Sequence, residues 1–370
     1  MDEKLSPEVW KIAFSAFFAD LGYQGAIALL PLLLVYALRL PIYIYGLIEA
    51  LNYGGGAMMG LLGGYLADKY SRRKTAVAGN ALISLMSFTG LAASPILSPL
   101  LFLAGWWSRN FRTPARRAML AEVTDEAQRK KAFGILHALD IGGGVASIAV
   151  MTALLQLGYG FAAAYLATLP FFITSTVLLA LVKAGERPTG RPKPPGFKVA
   201  ALSLASALFG FTYYSFGFPI LSIFLHTGSD VVSIAAYGLY LAVSAASGVI
   251  VGLIKSTGFK TLALLGYSLA ALGSLLFGLG GPLSLYLAAA AVLGLSIGVV
   301  ETLEPHIIAS LSREEEWGMS MGALTAGRSL GLFISNAVMG LLFTAGEVYA
   351  YLYAFAAAIA AAAIVLRMAR

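Results

Sequence analysis

Apolar stretches follow one another along the entire chain, separated by short polar breaks, and each reaches or approaches the roughly 20 residues a helix needs to cross a bilayer. In the first half they cover residues 12–38, 46–67, 76–93, 99–119, 132–157 and 161–182. Beyond Phe197 they resume over 199–225, 233–254, 261–279, 284–308, 319–342 and 348–366, which predicts six helices plus six. Ionisable side chains interrupt the first, second, fourth, fifth, tenth and eleventh stretches and never the third, sixth, ninth or twelfth. A charge in hydrocarbon is costly unless it faces a bundle interior or a water-filled cavity, so this selectivity points to a transport pathway lined by a subset of helices.

Composition narrows the class further. Hydrophobic residues make up 59% of the chain and charged ones 12%, with a mean hydropathy of +0.82, far from soluble globular usage. No soluble domain is left over. The first stretch is too long and uninterrupted for a signal-peptide core and lacks a small-residue cleavage pattern, so it reads as a retained helix. The chain has no cysteine, which excludes disulfides, thiolate metal ligands and cysteine nucleophiles together. Its net charge of +7 reads as topology, with no nucleic-acid partner implied. Basic residues such as Lys69, Arg72, Arg73, Lys74, Arg129, Lys130, Lys131, Arg187 and Arg370 fall on the termini and the even-to-odd connections, whereas the other side has only Arg39. By the positive-inside rule both termini face the cytoplasm of a multi-pass protein in the cytoplasmic (inner) membrane.

The segment Lys183 to Lys198 is the only long polar connection, and its prolines and glycines cannot continue a helix. It divides the chain into an N-terminal bundle (1–184), a cytoplasmic linker (185–197) and a C-terminal bundle (198–370). Sliding one half over the other by about 188 positions pairs Pro31 with Pro219 and Gly134 with Gly322. Parallel six-helix repeats are a transporter architecture in which substrate binds near the bilayer midplane. The fold class expected is an all-α membrane protein of twelve transmembrane helices in two pseudo-symmetric six-helix bundles.

The end of the second stretch, Gly64-Tyr65-Leu66-Ala67-Asp68-Lys69-Tyr70-Ser71-Arg72-Arg73-Lys74, resembles the cytoplasmic signature between helices 2 and 3 of the major facilitator superfamily, with Ser71 in place of the second glycine. The resemblance implies the fold above, secondary transport, and a gating role for Asp68 and Arg72. On the fourth stretch, Arg109-Asn110-Phe111-Arg112 is similar to the family's R-x-x-q motif, whose Arg is associated with proton coupling in drug antiporters; Arg112 stands where Gln is usual. Gly142, Gly143 and Gly144 on the fifth stretch lack the proline of the antiporter motif. The runs FFADLGYQGAIALLPLLL, GLIEA, RTPARRAMLAE and AFGILHALD look similar to a prokaryotic subgroup, from which Gln24, Arg117 and Ala138 depart.

At about 1.5 Å of rise per residue, Asp20, Asp140, Arg328 and Arg109 each lie roughly 14–16 Å from an end of their helix, near mid-depth. Acids and bases facing one cavity neutralise each other, and breaking a buried pair costs more than the pair contributes. Asp20 is read as a substrate or proton site, or as the ion-pair partner of Arg109 or Arg112. Those arginines share one helical face. Arg116 extends that face into an inward basic stripe, although for Arg116 and Arg117, nearer the cytoplasmic end, snorkelling is the preferred reading. His137 and Asp140 lie three apart, so the carboxylate can orient the imidazole. The overlay sets Arg328 opposite Asp140 with inverted sign, a latch between the halves. Glu301 is assigned to the cavity, and Glu304 and His306 to a gate around Pro305. Tyr23, Tyr213 and Tyr214 offer hydroxyls to line the site.

The expected function is a proton-coupled secondary transporter for a small-molecule or ion substrate, acting by alternating access as a monomer in lipid, with protons as coupling partner and no cofactor. No nucleotide-phosphate loop is present. A divalent-metal transporter is a second reading, with Asp20, His137, Asp140 and Glu301 as ligands. A non-transporting receptor or lipid scramblase is a third. An enzyme is not expected, because His137 and Asp140 have no matching nucleophile in a water-accessible site.

Overall fold

The computed structural model describes residues 5–184, 200, 202–204, 206–207, 216–254, 258–311 and 317–368. Among the described residues all regular structure is helical. The principal helices are α1 (Pro7–Pro31), α2 (Ile42–Lys69), α3 (Arg72–Ile83), α4 (Leu97–Glu122), α5 (Glu126–Gln156) and α6 (Leu169–Ala180). They continue with α7 (Gly217–Thr227), α8 (Asp230–Leu253), α9 (Ser268–Leu279), α10 (Leu283–Leu311), α11 (Trp317–Ala345) and α12 (Glu347–Met368). A π-helical turn, Leu32–Ala37, extends α1, and another, Leu262–Tyr267, leads into α9.

Among the described residues nine helical segments are long and apolar enough to cross a membrane. The α4 helix is long enough but is not among them. Its four arginines, Arg109, Arg112, Arg116 and Arg117, depress its hydropathy. A helix this charged survives in a bilayer only by turning the charges inward.

The chain divides into two compact units. One comprises Met1–Leu38 and Gly55–Gly190, the other Arg39–Gly54 and Arg191–Arg370, so α2 passes from the second unit into the first. In the first unit α1 packs along α5 and α6, and α3 along α4 and α6. An apolar core of Val9, Ile12, Ala16, Ala76, Ala115, Met119, Leu136 and Leu179 joins five of its helices. Small residues set the α1–α5 distance. A Cβ at Gly143 would strike the Phe17 carbonyl and sit 3.2 Å from the Asp20 Cβ, so only glycine lets the two backbones meet there.

In the second unit α8 packs along α10, and α9 along α10 and α12. The third-with-fourth and third-with-sixth pairings of the first unit thus recur. At the α8–α10 seam a Cβ on Gly298 would overlap the Ser247 hydroxyl. Phe216, Tyr237 and Tyr240 form an aromatic group with centroids 4.5–5.8 Å apart, the two tyrosines stacked and Phe216 tilted against both. Tyr237 and Tyr240 therefore belong to the packing of this unit.

Candidate functional site

In the first unit the spacing of three and four residues along α4 puts Arg109, Arg112 and Arg116 on one stripe. The Arg109 guanidinium lies over the rings of Tyr23 (4.7 Å) and Trp106 (4.8 Å), a placement that suits a cation removed from water. Its Nη2 donates to the Tyr23 hydroxyl at 3.1 Å, and that hydroxyl donates to Asp20 Oδ1. Tyr23 and Asp20 are 1% and 3% exposed. The direct Asp20–arginine pair read from sequence is thus replaced by a tyrosine bridge. The other Asp20 oxygen, Oδ2, has no hydrogen-bond partner among the described residues.

One turn further on, Arg112 is fully buried. Its Nη1 donates to Asn80 Oδ1 on α3 at 2.6 Å. The Asn80 amide in turn donates to Ser175 (3.0 Å) and Thr176 (2.8 Å) on α6. Ser15 of α1 closes this seam by donating to the Ser175 carbonyl at 2.8 Å. Arg116, 3% exposed, pairs with Asp140 Oδ2 on α5 at 3.3 Å. This corrects the snorkelling expectation, because the side chain turns into the bundle and finds an acid. Asp20 and Asp140 lie within electrostatic reach of each other, so two carboxyl groups and three guanidiniums form one cluster.

The second unit holds a separate cluster. Glu304 is fully buried and accepts from Tyr267 at 2.5 Å, from Ser206 at 2.9 Å and from Arg328. Arg328 also pairs with Glu301, whose side chain is 40% exposed. The π turn before α9 ends on Tyr267, and its Gly266 carbonyl accepts from Ser296 at 2.9 Å. The α10 helix runs through Pro305 without interruption, so Glu301 and Glu304 remain on one face. Glu304, read from sequence as a gate residue, is the more enclosed of the two carboxylates in this cluster. His306 is exposed.

Arg328 finds Glu301 and Glu304, and Asp140 finds Arg116, each within its own unit. At the start of α3, Arg72 pairs with Glu122 at 3.0 Å, and Ser71 caps the helix by accepting from the Lys74 N–H at 3.2 Å. The side chains of Asp68 and His137, Tyr213 and Tyr214, and the linker 185–197 lie outside the described residues. Among the described residues no group of three His, Asp or Glu side chains converges as a metal site requires.

Asn80, Tyr267 and Ser206 escaped the sequence reading, and Arg116, whose spacing from Arg109 and Arg112 marked the inward stripe, was assigned to snorkelling instead. Asn80 stands inside the apolar stretch 76–93 and carries no charge, so a search for ionisable residues passes it by.

Residues 12–206, just over half of the chain, match the sequence model of the Major Facilitator Superfamily. An uncharacterized MFS-type transporter of Methanocaldococcus jannaschii is 24% identical over 371 residues, covering 95% of this chain and 92% of that protein. Among solved structures, the nucleoside transporter NupG superposes with a TM-score of 0.81 at 11% identity, covering 98% of this chain and all of the other. A POT family transporter in complex with a thioalcohol-conjugated peptide gives 0.78 at 14% identity, covering 98% and 96%. Both likenesses are of fold.

Proposed function

Because this chain belongs to the Major Facilitator Superfamily, we propose that it is a secondary active transporter, driven by a proton gradient, that moves a small solute by alternating access. It is an integral membrane protein and not an enzyme. In this reading the two halves are six-helix bundles of a twelve-span monomer joined by the linker 185–197, with both termini in the cytoplasm and the protein in the cytoplasmic membrane.

The observation that supports coupling is the cluster Asp20–Tyr23–Arg109 with Arg116–Asp140, its members buried or half-buried in helices that otherwise read as spans. A bilayer tolerates such groups only at a cost, and proton relays and substrate sites are the usual return. A carboxyl group in a dry site favours its neutral form, and an adjacent guanidinium favours the anion. Helix movements that bring Arg109 or Arg116 toward an acid, and then withdraw it, therefore release and load a proton. Tyr23, which both donates and accepts, connects Asp20 to Arg109 through such a movement.

The test is uptake in reconstituted vesicles under an imposed proton gradient. Solute should accumulate with the wild-type protein, and Asp20→Asn should stop or slow accumulation at every gradient applied. Unchanged transport by Asp20→Asn removes Asp20 from the mechanism, and absence of any gradient-driven accumulation leaves a receptor or scramblase on this scaffold.

A further inference from the structure

The two charge clusters share a register. Arg116 and Asp140 of the first unit correspond, 188 positions on, to Glu304 and Arg328 of the second. Each of these is an ion pair, with the signs exchanged. The fold therefore uses an acid–base pair at this place twice, and either polarity serves. Arg109 and Arg112 correspond in the same register to Ile297 and Val300, which are 7% and 1% exposed. At those two positions the architecture accepts plain apolar packing.

Arg112 is thus a buried cation that the fold does not require. Among the described residues it has no carboxylate at ion-pair distance; its one hydrogen-bond partner is the neutral Asn80 oxygen, and its Nε and Nη2 have none. Arg116 likewise keeps Nε and Nη1 without a partner. Buried guanidinium N–H groups left unbonded are expensive, and an arginine's planar fork matches an oxyanion. The cluster also holds three guanidiniums against two carboxyls, and one proton on the acids widens the excess to two.

We propose that Arg112, oriented by Asn80 and flanked by Arg109 and Arg116, reads an anionic group on the solute, so that the chain carries a small carboxylate-, phosphate- or sulfonate-bearing compound. This rests on the transporter reading and narrows it. Asn80 is the positioning residue: its amide is fixed on α6 by Ser175 and Thr176, which aims its oxygen at Nη1 and holds the rest of the fork in place.

The experiment is thermal unfolding of the purified protein in detergent at constant ionic strength. The probes are phosphate, methylphosphonate, succinate and benzoate, each set against a size-matched neutral amide or alcohol. At least one anion should raise the unfolding midpoint saturably while its neutral counterpart does not. Arg112→Gln should weaken the apparent affinity for that anion about tenfold to hundredfold, the value of a hydrogen bond to a charged group. Asn80→Asp supplies Arg112 with an internal carboxylate and should abolish the response in a protein that still folds, which covers the case in which Arg112→Gln does not. No saturable response of the wild type to any of the anions, equal stabilisation by the neutral counterparts, or an undiminished response in Asn80→Asp overturns the proposal. Vesicles that concentrate a neutral or cationic solute in an Asp20-dependent way would retain the transporter and discard the anion subsite. Arg112-dependent anion binding without any transport would do the reverse.

Discussion

Tyr23, three residues from Asp20 on α1, bridges that acid to a base on α4. Its hydroxyl joins Asp20 to Arg109 while its ring supports the guanidinium. Tyr23→Phe separates these roles, keeping the ring and deleting the bridge. The variant should lose about 1–3 kcal/mol, the cost of leaving buried polar groups unsatisfied, read as a lower unfolding midpoint in detergent. For the Arg116–Asp140 pair, Arg116→Gln or Asp140→Asn alone strands a charge. Each should destabilise by about 3 kcal/mol or somewhat less, because Asp140 keeps partial exposure. The double variant should recover part of that loss, with a coupling of about 1–3 kcal/mol in a double-mutant cycle. Additive losses would mean that the pair contributes nothing jointly. That Asp20, Arg109 and Arg112 stand well inside their helices was legible from the sequence. Which partner each would take was not, because Asn80 and Tyr23 are separated from the α4 stripe by tens of residues.

At the scale of the helix, the triplet Gly142–Gly144 shows how a crossing is specified by one position of several. A Cβ at Gly143 collides with the Phe17 backbone, whereas one at Gly142 comes no nearer than 4.0 Å to the edge of the Phe17 ring. Gly143→Val should therefore push α1 from α5 and destabilise by about 1–3 kcal/mol or more. Gly142→Val should be tolerated, and equal unfolding midpoints for the two would refute this view of the crossing. The run of glycines was evident in the sequence as a close-packing signal, but its critical member depends on how α5 is rotated against α1. The same limit applies to the π turn at Leu262–Tyr267. Its apolar sequence carries no mark of the register shift that delivers Tyr267 to Glu304.

For the whole molecule, the absence of cysteine makes topology directly measurable, since any introduced thiol reports alone. On the topology proposed above, Thr189→Cys should react with a membrane-impermeant maleimide only from the cytoplasmic side, and Ser94→Cys only from the opposite side. Labelling of both from one side would overturn the positive-inside assignment. The apolar rhythm, the distribution of Lys and Arg and the G-x-L-a-D signature determined by themselves that the chain is a helical membrane protein of the superfamily, because membrane insertion responds to local hydropathy and charge. Tertiary structure alone decided that Arg116 turns inward to Asp140, that Glu304 is enclosed by Tyr267, Ser206 and Arg328, and that Arg112 rests on an asparagine. The physical reason is that the energy of a buried charge depends on which groups other helices bring within about 3 Å of it, and helix rotation and crossing, which set that distance, are properties of the packed bundle.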